Sequence, residues 1–534
     1  MVAIFRARRV ITMNGADAEA FAVLGGRVVA LGPLDELRRR FPEAAVTDFA
    51  SNVVAPGFHD AHMHLAMAAE DLLHLDASAG AVHSLAELKA GLLAEAGRRP
   101  PGTWIRASRY DDAKMTEGRV LNRWDLDEAA PEHPVLVVHV AGHWGVINSR
   151  ALALGGIDEA TPAPAGGSYG RDAAGRLNGI IYEQALFDFA YPAACKRERT
   201  VVPPGTPEER AAGLARACRM FNAAGLTSIG DALVGPQEIA LFQQAEGRGL
   251  LTLRVNMMVT HHHFDLARRL GLASGFGGER LRIAGFKAFV DGAIGGRTCL
   301  LEEPFEGSSE DYGVQTTPTG ELREIVRMVH EGGSRLCVHA NGDRAISLLL
   351  DQFEAVQAAA PRPDARHRIE HCTVVNGEIV ARMKRLGIGA APFGSYVHYH
   401  GSKLLEWYGR RRLERMFAHR WFYDSGIAVA GSSDYPCGPY EPLLAMQSCT
   451  TRRGFDGPVM GENQRISPLE ALALYTTGAA YLAGEEEIKG RLAPGYLADF
   501  VVLGEDPLTV EPGRLGAVAV RATYLGGKKV WPET

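Results

Sequence analysis

Five separate segments of this 534-residue chain end an apolar run with a side chain that can bind a metal ion. The first segment contains His62 and His64, one residue apart. Side chains alternate between the two faces of a strand, so both imidazoles project from the same face. Two imidazoles at a strand end can bind one cation from the same direction. The other four segments contribute Lys287, His339, His371 and Asp434.

These side chains can meet only if the apolar runs are parallel strands whose ends converge. The (β/α)₈ barrel has this architecture, and its active site lies at the carboxyl ends of the strands. Helical stretches at 207–224, 320–331 and 345–360 separate several of the runs, as a βα repeat requires. We therefore predict an α/β fold with a TIM-like (β/α)₈ barrel. The strand candidates after the first are 226–231, 251–259, 281–291, 335–339, 367–371, 388–392 and 427–434.

Both ends of the chain carry short apolar runs separated by glycine turns, a pattern typical of strands. Neither end has enough strands for a sheet of its own, so residues 1–57 and 485–534 are predicted to form one small composite β-sandwich. The barrel then occupies residues 58–484. Residues 65–205 are too long for a loop between two barrel strands, and we predict that this insertion after strand 1 caps the barrel mouth.

Composition restricts the class of partner. The 57 basic and 63 acidic side chains give a net charge of −6, which does not favour nucleic acid or an anionic membrane as a partner. No apolar run approaches the ~20 residues needed to span a bilayer, and the amino terminus lacks the pattern of a signal peptide. Seven cysteines without a Cys-x-x-Cys pair indicate reduced thiols in a cytoplasmic protein. The expected partner is a small-molecule substrate.

Several motifs resemble one known family. The order of the metal-binding candidates resembles the amidohydrolase superfamily, with His-x-His on strand 1, lysine on strand 4, histidines on strands 5 and 6, and aspartate on strand 8. The surrounding residues are similar to amidohydrolase family 3, which includes N-substituted formamide deformylases. The resemblance covers nearly the whole chain and is compatible with a homodimer. The motifs are at 56–64, 286–292, 339–343, 368–371 and 431–436, with a closing segment at 489–499.

The resemblance implies that the six side chains bind one or two divalent cations, with zinc as the expected ion. Inside a barrel, burial and nearby metal charge would lower the pKa of Lys287. A neutral Lys287 amine could add CO₂, and the resulting N6-carboxylated lysine could bridge two metals. The alternative is a Lys287 that pairs with Asp291 or with a substrate carboxylate, beside a single metal. The sequence leaves both open.

A catalytic arrangement follows from the same resemblance. Asp434 would bind metal, take a proton from the attacking water and return it to the leaving amine as general base and acid. His143 would stabilise the developing oxyanion. Trp144, Glu183 and Arg297 are candidate substrate contacts. The alternatives are a core role for His143 or Trp144, a surface role for Arg297 and a structural salt bridge for Asp434.

The predicted function is hydrolysis of a C–N bond in an amide, formamide or N-acyl amine, outside peptides. A deaminase on the same scaffold is an alternative, although such enzymes typically carry glutamate at the position that Gly342 occupies here. Lactone or carbamate hydrolysis would use the same groups. A catalytically inactive scaffold is a further alternative, but such homologues usually lose ligands, whereas this chain keeps all six.

Overall fold

A computed structural model describes residues 1–533 of the chain. Its strands in chain order are β1 Ala3–Val10, β2 Ala18–Leu24, β3 Arg27–Gly32, β4 Ala45–Asp48, β5 Val53–Pro56, β6 Phe58–Met63, β7 Leu75–Asp76, β8 Ile105–Tyr110, β9 Val135–His139, β10 Trp144–Ile147, β11 Gly167–Arg171, β12 Leu177–Glu183, β13 Leu226–Val234, β14 Arg254–Thr260, β15 Leu281–Phe289, β16 Leu336–Ala340, β17 Arg368–His371, β18 Gly389–Ala391, β19 Phe500–Leu503, β20 Val520–Leu525 and β21 Lys528–Trp531.

The α-helices lie mainly between the strands of the barrel and along the insertion. In chain order they are α1 Leu34–Arg40, α2 Leu65–Asp71, α3 Leu85–Ala96, α4 Arg123–Ala129, α5 Ser149–Leu154, α6 Gln184–Ala190, α7 Pro207–Ala223, α8 Pro236–Gly247, α9 Phe264–Arg269, α10 Thr319–Glu331, α11 Asp343–Ala359, α12 Gly377–Leu386, α13 Tyr396–His400, α14 Lys403–Leu413, α15 His419–Ser425, α16 Pro442–Thr451, α17 Pro468–Leu474 and α18 Thr477–Ala483.

Seven parallel strands form the barrel sheet, in the order β6, β13, β14, β15, β16, β17, β18. Residues 427–434 close it, through single parallel bridges from Ala390 to Val429 and from Phe393 to Ser432. On the other side, the Asp434 backbone N–H donates to the His62 carbonyl at 2.9 Å. The predicted barrel is therefore confirmed, with a closing segment that is not a regular strand.

The closing segment lacks a continuous ladder for a local reason. The backbone N–H of Ser433 donates to the buried carboxylate of Asp60, at 3.2 and 3.1 Å to its two oxygens, instead of to a neighbouring strand. The Asp60 side chain thus replaces one backbone hydrogen bond between strands, at the point where β6 meets residues 427–434. The same contact holds the segment against the strand that carries His62.

The helices around the barrel follow the amphipathic pattern of the sequence. In α10, the buried residues Leu322, Ile325, Val326 and Val329 recur at helical spacing and pack in the main core. At the start of α7, Thr206 and Glu209 form a capping box, and proline occupies the first turn. These helices make the barrel a rigid support for the residues at its mouth.

Both ends of the chain meet in one composite sheet, as predicted. Its order is β21, β20, β19, β5, β1, β2, β3, with β4 beside β1. The antiparallel pairing of β5 with β19 joins the two ends. An aromatic cluster of Phe5, Phe21, Phe500 and Tyr524 forms its core, because alternate residues of these strands face one side.

The insertion between β6 and β13 forms a third sheet, in the order β11, β12, β10, β9, β8, β7. It has its own buried core, which includes Leu88, Leu126 and Val137. The exact residue limits of barrel, insertion and composite part stay predictions. All seven cysteines are unpaired thiols. Among residues 1–533, no helix is both long enough and apolar enough to cross a membrane.

Candidate metal centre and substrate cavity

The side chains of His62, His64, Lys287 and Asp434 meet at the carboxyl end of the barrel. Asp434 Oδ1 lies 3.1 Å from His64 Nε2 and 3.3 Å from His62 Nε2. Lys287 Nζ lies 3.4 Å from His62 Nε2. Four side chains from three separate parts of the chain therefore share one buried centre.

His339 and His371 complete the set. The ring centroid of His371 lies 4.6 Å from that of His62 and 4.6 Å from that of His339. His371, at the end of β17, has a φ of 70°, and its ring stacks on that of Phe393 with the centroids 4.3 Å apart. Asp434 has a φ of 53°. Left-handed backbone is uncommon at non-glycine residues in general. Where it does occur, it is found often at functional sites.

The free nitrogen atoms of the centre fit a divalent cation. His62 Nδ1 bonds Glu370 Oε2 at 2.5 Å, which leaves Nε2 for the centre. His339 Nε2 donates to the Gly292 carbonyl at 3.0 Å, which leaves Nδ1. His371 Nδ1 is buried without a hydrogen-bond partner. Burial lowers the pKa of His339 and of His371 well below the usual value, so both are the neutral imidazoles that zinc binds.

Lys287 faces this centre and not Asp291. The Asp291 carboxylate accepts backbone N–H bonds from Leu300, Asn341 and Gly342, at 2.8 to 2.9 Å. Burial lowers the pKa of Lys287 to about 8, although Glu370 and Asp434 oppose the shift. A substantial fraction of the Lys287 amine is therefore neutral near pH 8, the form that can react with CO₂.

Glu370 and Arg368 lie directly behind the predicted ligand His62, and the sequence did not single them out. Glu370 accepts from Arg368 at 2.5 and 2.8 Å and from His62. Burial alone would raise the pKa of Glu370, but Arg368 and His62 outweigh it and lower that pKa. The sequence does contain a signal for both residues. Arg368 and Glu370 are two positions apart on one strand, so their side chains lie on the same face. Glu370 fixes the orientation of a predicted ligand.

His143 stands beside the centre, held by Glu183. His143 Nδ1 lies 2.7 Å from Glu183 Oε2, and its ring centroid is 5.2 Å from that of His339. Burial would lower the pKa of His143, but the Glu183 carboxylate outweighs it and the pKa is raised. With Nδ1 engaged, the Nε2 edge is the free edge of the ring. Glu183 thus contacts His143, and its predicted contact with substrate stays a prediction.

Trp144 and Arg297 lie outside this group. Trp144 is 8% exposed and stacks on His139 at 4.1 Å, in the core of the insertion sheet. Arg297 lies over the Phe305 ring at 5.3 Å. His139 lines the substrate cavity, so Trp144 is one layer behind the cavity wall. Neither side chain is among those brought to the metal centre.

A cavity of about 840 Å³, a volume that includes open solvent at its mouth, leads to the centre. The cap contributes Asp112, Lys114 and His143, and the barrel contributes His339 and Asp434. The insertion therefore forms one wall of the cavity. Aromatic side chains line much of the remainder, namely Phe393, Tyr396, Trp407 and Phe455.

The chain is similar to two well-covered protein relatives. It is 30% identical to the putative amidohydrolase YtcJ of Bacillus subtilis (strain 168), over 100% of both chains. It is 28% identical to the N-substituted formamide deformylase of Arthrobacter pascens, over 97% of this chain and 96% of that protein.

Solved structures share the fold. An uncharacterized metal-dependent hydrolase from Pyrococcus horikoshii OT3 superposes with a TM-score of 0.77 at 24% identity, covering 96% of this chain and 99% of that one. Escherichia coli guanine deaminase has a TM-score of 0.52 at 12% identity, with both chains fully covered. Residues 20–44 match an imidazolonepropionase-like composite domain of bacteria, and residues 45–531 match the amidohydrolase family. A family match over most of the sequence, on a barrel with this centre, shows that the chain is a hydrolase of the amidohydrolase family.

Proposed function

We propose that this protein hydrolyses a C–N bond in an amide, a formamide or an N-acyl amine of small molecular size. The observation that carries the proposal is that a metal-binding set of side chains and a hydrogen-bond donor lie next to each other. The six predicted ligands share one buried centre, and His143 stands beside that centre at the base of the cavity. The printed name of the Arthrobacter relative, an N-substituted formamide deformylase, supports the formamide as the first substrate to test.

The centre has the donor set for one or two divalent cations, and zinc is the expected ion. When bound, such a cation lowers the pKa of a water molecule toward neutral and polarises a carbonyl oxygen. His62, His64 and Asp434 would hold one ion, and His339 and His371 would hold the other. Lys287, carboxylated on its amine, would bridge the two.

Asp434 is the proposed general base and acid. Its carboxylate lies at the floor of the cavity, and burial would raise its pKa, but His371, His62 and His64 outweigh burial and hold that pKa well below the usual value. Asp434 is therefore an ionised acceptor before the reaction. It takes a proton from the attacking water and returns it to the nitrogen of the leaving amine.

His143 is the proposed donor to the carbonyl oxygen. Glu183 accepts from the Nδ1–H and raises the pKa of His143, so the protonated ring presents an Nε2–H to the negative charge that develops on the oxygen. A donor fixed before the reaction stabilises this charge without reorganising. His143 lines both the cavity and the space around the metal centre, which places it between substrate and ligands.

Packing around Gly342 supports hydrolysis over deamination. A Cβ at this position would lie 1.8 Å from the Leu300 carbonyl oxygen, so no side chain fits there. The glutamate that deaminases typically carry at this position is therefore sterically excluded in this backbone arrangement. The proton for the leaving group must therefore come from another residue. Asp434 lines the cavity and is the residue that we propose.

The test is hydrolysis of simple N-formyl amines by protein loaded with zinc, before and after chelation. We expect amine release by the loaded protein and its loss on chelation and on Asp434→Asn. Asp424→Asn, which changes an exposed aspartate, is the matched control and should keep full activity. Zinc-loaded protein that releases no amine from any formyl, acetyl or longer acyl amine would contradict the proposal.

The carboxylated form of Lys287 has its own test. Zinc uptake by metal-stripped protein should depend on added bicarbonate, because carboxylation of the amine supplies the bridging carboxylate. In Lys287→Arg the bicarbonate dependence should vanish, since a guanidinium does not form a stable carbamate. Uptake of two zinc ions in the complete absence of bicarbonate would show that the amine itself is not modified.

A further inference from the structure

The cavity continues beyond the metal centre into a region that the proposed mechanism does not use. We call this region the outer pocket and define it by Asp111, Asp112, His139, His400 and Trp407, all of which line the cavity. The first three belong to the cap and the last two to the barrel side. A substrate longer than its reacting amide has room to extend toward these residues.

Asp111, Asp112 and His139 lie close enough to suggest a second metal site, but the hydrogen bonds of His139 disfavour one. Its Nδ1 accepts the backbone N–H of Ala141 at 3.1 Å, so Nε2 carries the proton. That N–H donates to Asp112 Oδ1 at 3.0 Å. A ring with both nitrogens engaged in this way has no lone pair left for a cation. His139 instead orients the Asp112 carboxylate.

The charges of the outer pocket are not balanced. Lys114 lies 3.9 Å from Asp111 and stacks on the Tyr399 ring at 3.7 Å, so this ammonium is already engaged. Asp112 has only His139, whose Nδ1 accepts a backbone N–H, as a side-chain partner among residues 1–533. Its side chain is 34% exposed toward the cavity. One accessible carboxylate is therefore left without a cation.

The two remaining ionic groups of the lining do not compensate this carboxylate. Lys403 pairs with Glu406 at 2.9 Å, outside the lining. Asp456 accepts the backbone N–H of Ser402 at 3.0 and 3.2 Å, and no lysine or arginine of the described chain lies within 4.0 Å of it. The lining away from the metal centre thus carries three carboxylates and two ammonium groups, one of which is already paired elsewhere.

His400 is an independent sign of a ligand. It is 8% exposed, and its Nε2 is buried without a hydrogen-bond partner among the described residues. The ring edge faces Gly295, since a Cβ there would lie 3.2 Å from His400 Cε1, and both residues line the cavity. Burial lowers the pKa of His400 to about 3, so the ring is neutral and can accept a hydrogen bond. Tyr396 and Trp407 flank it at 4.8 and 5.8 Å.

We propose that the outer pocket binds a positively charged group of the substrate, with Asp112 as its ionic partner. This inference rests on the proposed function and narrows it, because the substrates would then be mono-acylated or mono-formylated diamines. The substrate ammonium donates to the Asp112 carboxylate and to the free nitrogen of His400. The aromatic faces of Tyr396 and Trp407 surround the methylene chain and attract the charge. The amide at the other end of the chain reaches the metal centre.

Three substrates of equal length test this inference. They are formylated hexylamine, mono-formylated hexane diamine and formylated aminohexanoic acid, which end in a methyl, an ammonium and a carboxylate. We expect kcat/KM to be roughly ten- to hundredfold higher for the ammonium than for the methyl compound, as a charge-assisted hydrogen bond provides. The difference should appear mainly in KM, because the ammonium is remote from the reacting bond. Shorter and longer diamines show which chain length spans the cavity.

The variant Asp112→Asn keeps an oxygen acceptor for His139 and removes the charge. It should abolish the preference for the ammonium compound, so that kcat/KM for mono-formylated hexane diamine becomes about equal to that for formylated hexylamine measured with the same variant. Asp265→Asn, on the exposed surface, is the matched control and should keep the preference. Equal kcat/KM for the three substrates, or preference for the carboxylate compound through Lys114, would overturn the inference while the proposed function stands.

A direct binding measurement distinguishes failure of the proposed function from failure of the cation pocket. Hexane diamine should bind the protein in calorimetry and bind Asp112→Asn at least roughly tenfold more weakly. If no N-acyl amine is hydrolysed but the diamine binds in this way, the proposed function fails and the cation pocket stands. If the diamine shows no dependence on Asp112, the cation pocket is contradicted whatever the enzyme hydrolyses.

Discussion

Glu370 illustrates how a single side chain outside the ligand set controls the centre. It bonds the outer nitrogen of His62 and forms a two-point ion pair with Arg368, which also donates to the Ala61 carbonyl at 2.7 Å. All three side chains are almost fully buried. A hydrogen-bonded carboxylate behind a ligating imidazole fixes its tautomer and its orientation.

The variant Glu370→Gln should weaken zinc binding by about ten- to hundredfold and lower the melting temperature. The amide cannot balance the buried Arg368, and it can present an N–H to His62 where an acceptor is needed. Zinc titration and thermal unfolding measure the two effects. Glu331→Gln, on the exposed face of α10, is the control. Unchanged zinc affinity in Glu370→Gln would contradict an orienting role.

The His143–Glu183 pair should affect turnover and not metal content. We expect His143→Gln to lower kcat by about a hundred- to thousandfold, because the donor to the oxyanion is lost. Glu183→Gln should lower kcat less, since the ring keeps its place but loses the carboxylate that favours its protonated form. Metal analysis and steady-state kinetics check both. A variant that loses zinc in proportion to its activity would place His143 among the ligands instead.

At the scale of elements, β6 and β13 must approach closely for the histidines of β6 to reach the centre. Gly230 of β13 permits this approach, because a Cβ there would lie 2.3 Å from the Ala61 carbonyl oxygen. The added atom can be accommodated only if one of the two strands moves. His62 is the next residue after Ala61, so any such shift reaches the metal centre.

We therefore expect Gly230→Ala to lower both the melting temperature and the zinc content. Gly320→Ala is the matched control, because a Cβ at that position of α10 meets nothing within 4 Å. Alanine there should be neutral or should stabilise the helix by about 0.5–1 kcal/mol. The two variants are compared by thermal unfolding and metal analysis. Normal zinc content in Gly230→Ala would show that β6 tolerates the shift.

The elements that the sequence predicts well are those with a local signal. Apolar runs located the barrel strands to within a few residues, and the helical period located α7, α10 and α11. The closing segment at 427–434 was expected as a strand, but the Asp60 carboxylate binds its backbone, which no periodicity reveals. The order of strands in the insertion sheet also escaped prediction, because it depends on pairing between distant residues.

In the candidate site, too, residues with a local sequence signal could be predicted, and residues whose role depends on tertiary contacts could not. The six metal-binding candidates followed from residue type, strand ends and family resemblance, and the structure brings them together. Trp144 and Arg297 were selected by motif position alone, and packing places them elsewhere. His400 and Asp112 had no sequence signal, because their roles depend on a cap-to-barrel contact that only the folded chain creates.

At the scale of the whole molecule, the composite sheet is attached to the barrel by a buried ion pair. Arg254 of β14 donates to Asp499 at 2.6 and 2.9 Å, and both residues are about 5% exposed. Asp499 also accepts the backbone N–H of Gly526 at 2.8 Å. One carboxylate thus joins β14 to the last strands of the chain.

Substituting only one partner of this ion pair should destabilise the folded protein. Asp499→Asn leaves the Arg254 charge buried and is expected to destabilise the protein by about 3–5 kcal/mol. The double variant Arg254→Met/Asp499→Leu should lose less, because no charge stays buried. Denaturant unfolding of the two variants provides the comparison. Equal losses in both would show that the charge itself contributes little.

The stability of the metal-free protein should depend on pH through two buried aspartates. Burial raises the pKa of Asp231 and of Asp291 to about 7 from the ordinary 3.8. For these two groups the folded state keeps protons that the unfolded chain releases above pH 4, so their own contribution to stability falls as pH rises from about 4 to about 7. Buried histidines whose pKa is lowered, such as His339 and His371, contribute in the opposite direction below pH 6.5. Asp231→Asn should therefore make the change of melting temperature with pH more positive over this range than in the parent protein. A slope that is unchanged in Asp231→Asn would contradict the assignment.

Anomalous diffraction at the zinc absorption edge from zinc-loaded crystals locates the bound metal ion. We expect strong anomalous density about 2.0–2.2 Å from imidazole nitrogens of the centre formed by His62, His64, His339, His371 and Asp434. Density only elsewhere, for instance between Asp111 and His139, or none at this centre in protein that carries stoichiometric zinc, would contradict it.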